Sequence, residues 1–220
     1  MSRSDKEVIA DAAGFVLAGG QSSRMGSDKA LVPLYGKPLI VHAIGILRRV
    51  GVPISIAGAR FSPSSFAPVI EDAGVGPLRG ICNALSVTSA RYALFLSVDM
   101  PLIPPSLVAT MLDTARLCEA GVTVSSVNGF AETFPCVVER DLLPALESEE
   151  RVGNTGCFSS LRAAAARLRR PFRIVAVENL IQTGHIENAN ALPPALWFLN
   201  VNTPADLARA ESLPAAHRVI

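Results

Sequence analysis

A short apolar run that breaks abruptly into glycine constrains this chain more than any other stretch. Phe15-Val16-Leu17-Ala18 is followed at once by Gly19-Gly20, then by small polar residues, Arg24-Met25-Gly26 and Ser27-Asp28-Lys29. This is the pattern of a strand opening into a loop built for an anion. Glycine lacks a Cβ, so the loop backbone can bring its N–H groups close to a ligand. Successive N–H groups form a concave nest for phosphate oxygens, and Arg24 and Lys29 add full positive charges beside it. The expected ligand is a polyphosphate.

Two familiar phosphate loops are excluded by the spacing. A Walker loop ends in Gly-Lys-Ser/Thr, whereas Gly26 is followed by Ser27-Asp28-Lys29. The dinucleotide fingerprint needs alternate glycines, and Gly19 and Gly20 are adjacent. Taken together, Leu17-Ala18-Gly19-Gly20, Arg24-Met25-Gly26 and Asp28-Lys29-Ala30-Leu31 resemble the L-A-G-G-x-x-x-R-M-G-x-D-K signature of nucleotidyltransferases. Within that group the chain is most similar to the molybdenum cofactor guanylyltransferases, the MobA family.

Patterning after the loop supports a sheet flanked by helices. Pro38 suits a first helical turn, and Ile40, Ala43, Ile44 and Leu47 recur at helical spacing up to Gly51. Pro53 to Ala57 reads as a second strand, parallel to the first. Phe61 to Phe66 is a loop rich in Ser and Pro. Glu71-Asp72 then leads to a second glycine loop, Gly74 to Gly80, and a helix over about 81–87. Without the resemblance, Asp72 is a turn or cap residue. The resemblance makes it a nucleotide contact.

Tyr92 to Val98 is an apolar run of the kind buried on both faces of a sheet, and it ends in Asp99. Ligands of open α/β sheets gather at the carboxyl ends of strands, and hard cations choose carboxylate oxygen. Asp99 is therefore the expected metal ligand, with a helix-cap role as its structural alternative. Asp99-Met100-Pro101 also resembles the Asp-x-Pro metal site of the nucleotidyltransferases.

Farther on, a helix follows the prolines near Pro105, strands are expected at 122–125 and 134–138, and a helix over 141–146 precedes a polar, turn-rich stretch to Thr155. A helix over 157–168 ends in Arg162, Arg167, Arg169 and Arg170, read as a solvated helix end rather than a phosphate site. A strand is expected over 172–177, and 178–194 shows no pattern. Trp197 to Asn202 is read as a last strand that points Asn200 and Asn202 the same way. Thr203 then caps a helix with Pro204 in its first turn. Asn202 is a candidate support for the metal or pyrophosphate, with its own turn as the alternative.

The net charge of +1 gives no field for wrapping nucleic acid or binding an anionic membrane. Every apolar run is interrupted short of a membrane span. Residues 1–13, with Asp5, Glu7 and Asp11, read as a tail rather than a secretion signal. Cys82, Cys118, Cys136 and Cys157 are far apart, which fits free thiols in a reducing cytoplasm. His42, His185 and His217 receive no role.

The resemblance implies one three-layer, Rossmann-like α/β domain over 14–212, with a mainly parallel twisted sheet of the nucleotide-diphospho-sugar transferase type and a tail over 213–220. It implies Mg2+-dependent transfer of GMP from GTP to molybdopterin. Leu17, Ala18, Gly19, Gly20, Lys29, Asp72 and Asp99 would contact nucleotide, and Arg24, Lys29 and Asp99 would do the chemistry. Transient contact with proteins that supply molybdopterin, or with molybdoenzymes, is implied as well. Two departures stand out: Phe134 replaces a His or similar polar residue, and Ala57-Gly58 replaces an asparagine after the second strand. Related cytidylyl or sugar-phosphate transferases, and a non-catalytic nucleotide sensor, are the competing readings.

Overall fold

The computed structural model describes residues 11–19, 28–58, 66–70, 76–154, 156–186 and 192–213. The first glycine loop beyond Gly19, with Gly20 and Arg24, and the 71–75 segment with Asp72 lie outside the described residues.

The apolar run forms β1 (Ala12–Leu17) in the middle of a seven-stranded sheet. A small antiparallel pair, β2 (Pro33–Leu34) and β3 (Lys37–Pro38), precedes α1 (Leu39–Val50). In α1 the expected stripe of Ile40, Ala43, Ile44 and Leu47 is buried, while Arg48 and Arg49 face solvent. Gly51 ends it in the left-handed region, at φ 86°, where glycine carries no steric penalty. His42, on the same helix, is buried with its Nε2 2.8 Å from the Leu34 carbonyl, a satisfied core histidine.

Strands β4 (Ile54–Ala57) and β5 (Val69–Ile70) extend the sheet on one side of β1, both in parallel. The chain then passes through α2 (Pro77–Val87) to β6 (Tyr92–Ser97), which pairs in parallel with the other side of β1. Helix α2 begins four residues earlier than the sequence suggests. The Gly-Pro-Leu-x-Gly run, read as loop, is its first turn, because Pro77 at the first helical position loses no hydrogen bond there.

After α3 (Pro105–Leu117), β7 (Val122–Val127) and β8 (Phe130–Glu139) form a hairpin. Asn128 (φ 52°) and Gly129 (φ 80°) turn it with both residues left-handed, the conformation that matches strand twist in two-residue hairpins. Strand β8 starts four residues before the expected position and runs antiparallel to both neighbours, β6 and β7. The helix expected over 141–146 is α4 (Leu143–Arg151), which continues into the stretch read as turn-rich. Helix α5 (Cys157–Arg167) leads to β9 (Phe172–Ala176), an edge strand parallel to β7. The sheet order is β5-β4-β1-β6-β8-β7-β9.

Helices cover both faces. One core, with Val16, Leu94 and Leu96 on the sheet, packs on α1 and α3. The other, with Phe15, Phe95 and Val124, packs on α2, α4 and α5. Phe15 and Phe95 stack across the β1–β6 pair at 5.4 Å between ring centres. The three-layer α/β arrangement with a mainly parallel sheet is thus as expected. Of the arginines near the end of α5, Arg170 is an exception to the solvated reading. With Arg91 it clamps the buried Glu139 carboxylate, at 2.9 and 3.1 Å respectively.

The largest correction lies near the C-terminus. A helix, α6 (Val177–Gln182), occupies part of the stretch without pattern, and Trp197–Asn202 is not a strand. Trp197 closes a single helical turn, α7 (Pro194–Trp197), and irregular backbone follows. Trp197, Phe198 and Val201 look like a strand because they are apolar, but they fill the α1/α3 core from the end of α7 and the loop after it. Asn200 and Asn202 therefore do not share a strand face.

Thr203 then caps α8 (Pro204–Glu211) in a capping box: its hydroxyl accepts from the Asp206 N–H, and the Asp206 carboxylate accepts from the Thr203 N–H. The Thr203 hydroxyl, with the Asn202 and Thr203 N–H groups, holds the Asp206 carboxyl below its ordinary value. That contribution to stability is present above the ordinary carboxylate range and is lost as pH falls through the depressed value. Thr203→Ala is expected to lower unfolding stability by about 1 kcal/mol, read as a shift in urea midpoint without a change in slope.

Candidate active site

The chain goes from β1 to β4 and β5 on one side, then returns through α2 to β6 on the other. Strand order therefore reverses between β1 and β6, and the carboxyl ends of such strands bound a natural crevice. Leu17 and Ser97 are register partners at that edge. Beyond them the chain gives Ala18-Gly19 from β1 and Val98-Asp99 from β6. A pocket of about 280 Å³ opens there, lined by Leu17, Gly19, Ala57, Pro77, Asp99 and Phe134 among others.

Two loops meet tightly at one wall. A Cβ placed on Gly19 would lie 3.1 Å from the Gly58 carbonyl oxygen, closer than ordinary contact. The turns after β1 and β4 can pack this way only because no side chain stands between them. Gly76, Pro77 and Gly80 at the start of α2 line the adjoining floor, which is nearly bare of side chains.

The charged centre sits at the crevice. Asp28 caps the short 3-10 turn Lys29–Leu31, its carboxylate accepting from the Ala30 N–H at 3.0 Å. That turn aims Lys29 inward, and its ammonium donates to Asp99 Oδ2 at 2.6 Å. It also donates to Asn202 Oδ1. The Ser97 hydroxyl donates to the other Asp99 oxygen, so both ends of the carboxylate are held. The Val201 N–H donates to the Asp99 carbonyl at 2.9 Å, and this bond seats the C-terminal loop on the end of β6. The pair is mostly buried, with side chains 17% and 16% exposed.

Lys29 and Asp99, 70 residues apart, are thus brought together as the sequence suggests. Leu17 and Gly19 line the same pocket. Ala18 lies between them, its N–H tied to the Ala57 carbonyl. Asn202 belongs to the cluster, although through a loop rather than a strand. Sequence reading missed Ser97, whose position two residues before Asp99 was the available signal, and the capping role of Asp28.

The donor set suits a hard cation. Asp99 Oδ2 and Asn202 Oδ1 already converge on one positive charge, the Lys29 ammonium. Among the described residues no group of three or more His, Cys, Asp or Glu side chains is placed to hold a metal. A single carboxylate fits an ion that keeps water and substrate phosphates as its other ligands.

All four cysteines are free thiols, and Cys82, Cys136 and Cys157 are buried. Burial, with the Cys82 thiol nearby, pushes Cys157 up to about 12, so it stays protonated at neutral pH. Among the described residues no helix is long and apolar enough to cross a membrane.

The chain is similar to known proteins along most of its length. A probable molybdenum cofactor guanylyltransferase from Opitutus terrae is 36% identical over 75% of this chain and 84% of its own length. A molybdenum cofactor guanylyltransferase from Vibrio cholerae is 32% identical over 92% and 93%. Among solved structures, molybdopterin-guanine dinucleotide biosynthesis protein A from Archaeoglobus fulgidus superposes with a TM-score of 0.70 at 22% identity, covering 90% of this chain and 96% of that one. At that identity the superposition speaks to the fold alone. Residues 14–170 match the model of the MobA-like NTP transferase domain, and with Lys29 and Asp99 joined at the switch point of its sheet, this chain belongs to that family.

Proposed function

We propose that the protein transfers GMP from GTP to the phosphate of molybdopterin, releasing pyrophosphate. The observation that carries this reading is the Lys29–Asp99–Asn202 cluster at the carboxyl edge of β1 and β6. The names of relatives that align along most of the chain supply the nucleotide and the acceptor.

The chemistry needs little from a base, because a phosphate acceptor is an anion at neutral pH. The barrier is repulsion between two phosphates, together with the need to hold nucleophile, α-phosphorus and leaving group in line. Lys29 brings a mobile cation to the point where charge develops. Its backbone is held by the Asp28-capped turn, so only the side chain has to move from Asp99 to a phosphate oxygen. Ser97 keeps the Asp99 carboxylate oriented meanwhile. Magnesium, when bound, would neutralise phosphate charge; Asp99 and Asn202 are the residues to hold it. Gly20 and Arg24 as phosphate ligands, and Asp72 as a nucleoside contact, complete the proposal on sequence grounds.

The decisive measurement is pyrophosphate release with GTP, CTP and ATP, each with and without molybdopterin. Release with GTP and molybdopterin together is the expected result. Faster release with CTP, or release only with a sugar phosphate, would assign the chain to a different transferase activity. Tight nucleotide binding without release in any combination would make it a sensor.

A further inference from the structure

We propose that the ring of Phe134 is the platform on which the flat heterocycle of the acceptor stacks, and hence that it sets acceptor affinity. This rests on the acceptor-plus-GTP reading above. Strand β8 does not run evenly beside β7. Val124 pairs with Cys136, but the next residue, Ser125, pairs with Glu132, so Thr133, Phe134 and Pro135 bulge out of the ladder. A bulge re-aims side chains that a regular strand would send into the core. Here it delivers one aromatic ring to the wall of the pocket that also contains Asp99.

The ring is half-buried and packs against both hydrophobic cores, one on each face of the sheet. It is therefore held from below while part of it stays open. Its place along the sheet is informative as well. Ala57 on β4, Leu17 on β1, Ser97 on β6 and Phe134 on β8 line the pocket in the order of their strands. Strands are spaced about 4.8 Å apart, so β4 and β8 are separated by roughly 14 Å. Asp99, following β6, stands between the ends. The floor nearly bare of side chains at Ala57, Gly76 and Gly80 leaves room for the nucleotide on one flank. Phe134 occupies the opposite flank, from which an in-line nucleophile would approach. An aromatic face there recognises a conjugated ring through stacking, not through hydrogen bonds.

The test uses the full chain with GTP, magnesium and molybdopterin. Phe134→Leu keeps apolar bulk and removes the π-face; it should raise the acceptor KM about tenfold while the GTP KM stays put. Phe134→Tyr should restore the acceptor KM to near the starting value. As a readout independent of turnover, Phe134→Trp should show indole emission quenched by molybdopterin and not by GTP. An unchanged acceptor KM in the leucine variant overturns the proposal, as does a rise in GTP KM instead. So does a tyrosine variant as impaired as leucine, or an indole blind to the acceptor. If the unmodified protein transfers no GMP to molybdopterin, the functional reading itself falls, an outcome separable from all of these.

Discussion

Lys29→Ala is expected to slow nucleotidyl transfer by about two to three orders of magnitude while the far-ultraviolet dichroism spectrum is unchanged. The expectation follows from position. The ammonium is bonded to Asp99, which lines the crevice between β1 and β6, and it is mostly buried there. Charge that develops on the phosphates is stabilised most by groups already oriented and shielded from water. Lys29 is oriented by the Asp28 cap, so an arginine at 29 should not rescue it fully: its planar fork cannot occupy the space of a compact ammonium. A normal single-turnover rate in Lys29→Ala would remove the centre of the proposed chemistry.

The second large effect is expected from Asp99→Asn, which keeps the shape of the side chain and removes its charge. Turnover should fall by about a hundredfold or more and should not recover as magnesium is raised. The two residues act as one unit, so their losses should not multiply. Lys29→Ala combined with Asp99→Asn is expected to be about as slow as the slower single variant. Multiplicative losses in the double variant would mean that the contact at 2.6 Å has no part in catalysis.

Much of this site was legible in the sequence because its parts are local punctuation. An apolar run ending in Gly19, a buried run ending in Asp99, and Thr203-Pro204 before a helix each announce a strand end or a helix start within a few residues. Parallel pairing then forces Leu17 and Ser97 to the same edge. What stayed hidden depends on distant contacts or on ambiguous composition. Trp197, Phe198 and Val201 have the apolarity of a strand, yet they reach the core without a ladder, and local pattern does not distinguish these cases. The second half of helix α4 was masked by its own polarity, because the helix needs only Ala145 and Leu146 facing in. The Asn128-Gly129 hairpin was readable and was passed over; that dipeptide is a strong short-range turn signal. The bulge at Phe134 was not readable, since it exists only as a mismatch between two strands.

The bond between Lys29 and Asn202 joins residues 173 positions apart, and this has a consequence for synthesis. A ribosome that has added Ala176 has already made all seven strands of the main sheet, yet Asn202, the partner of the first motif, is still to come, just ahead of α8. A nascent chain halted in that interval would own a complete sheet and an open-ended charge cluster. A stop between Ala176 and Asn202 would therefore leave the α1/α3 core without Trp197, Phe198 and Val201 and the charge cluster without its amide.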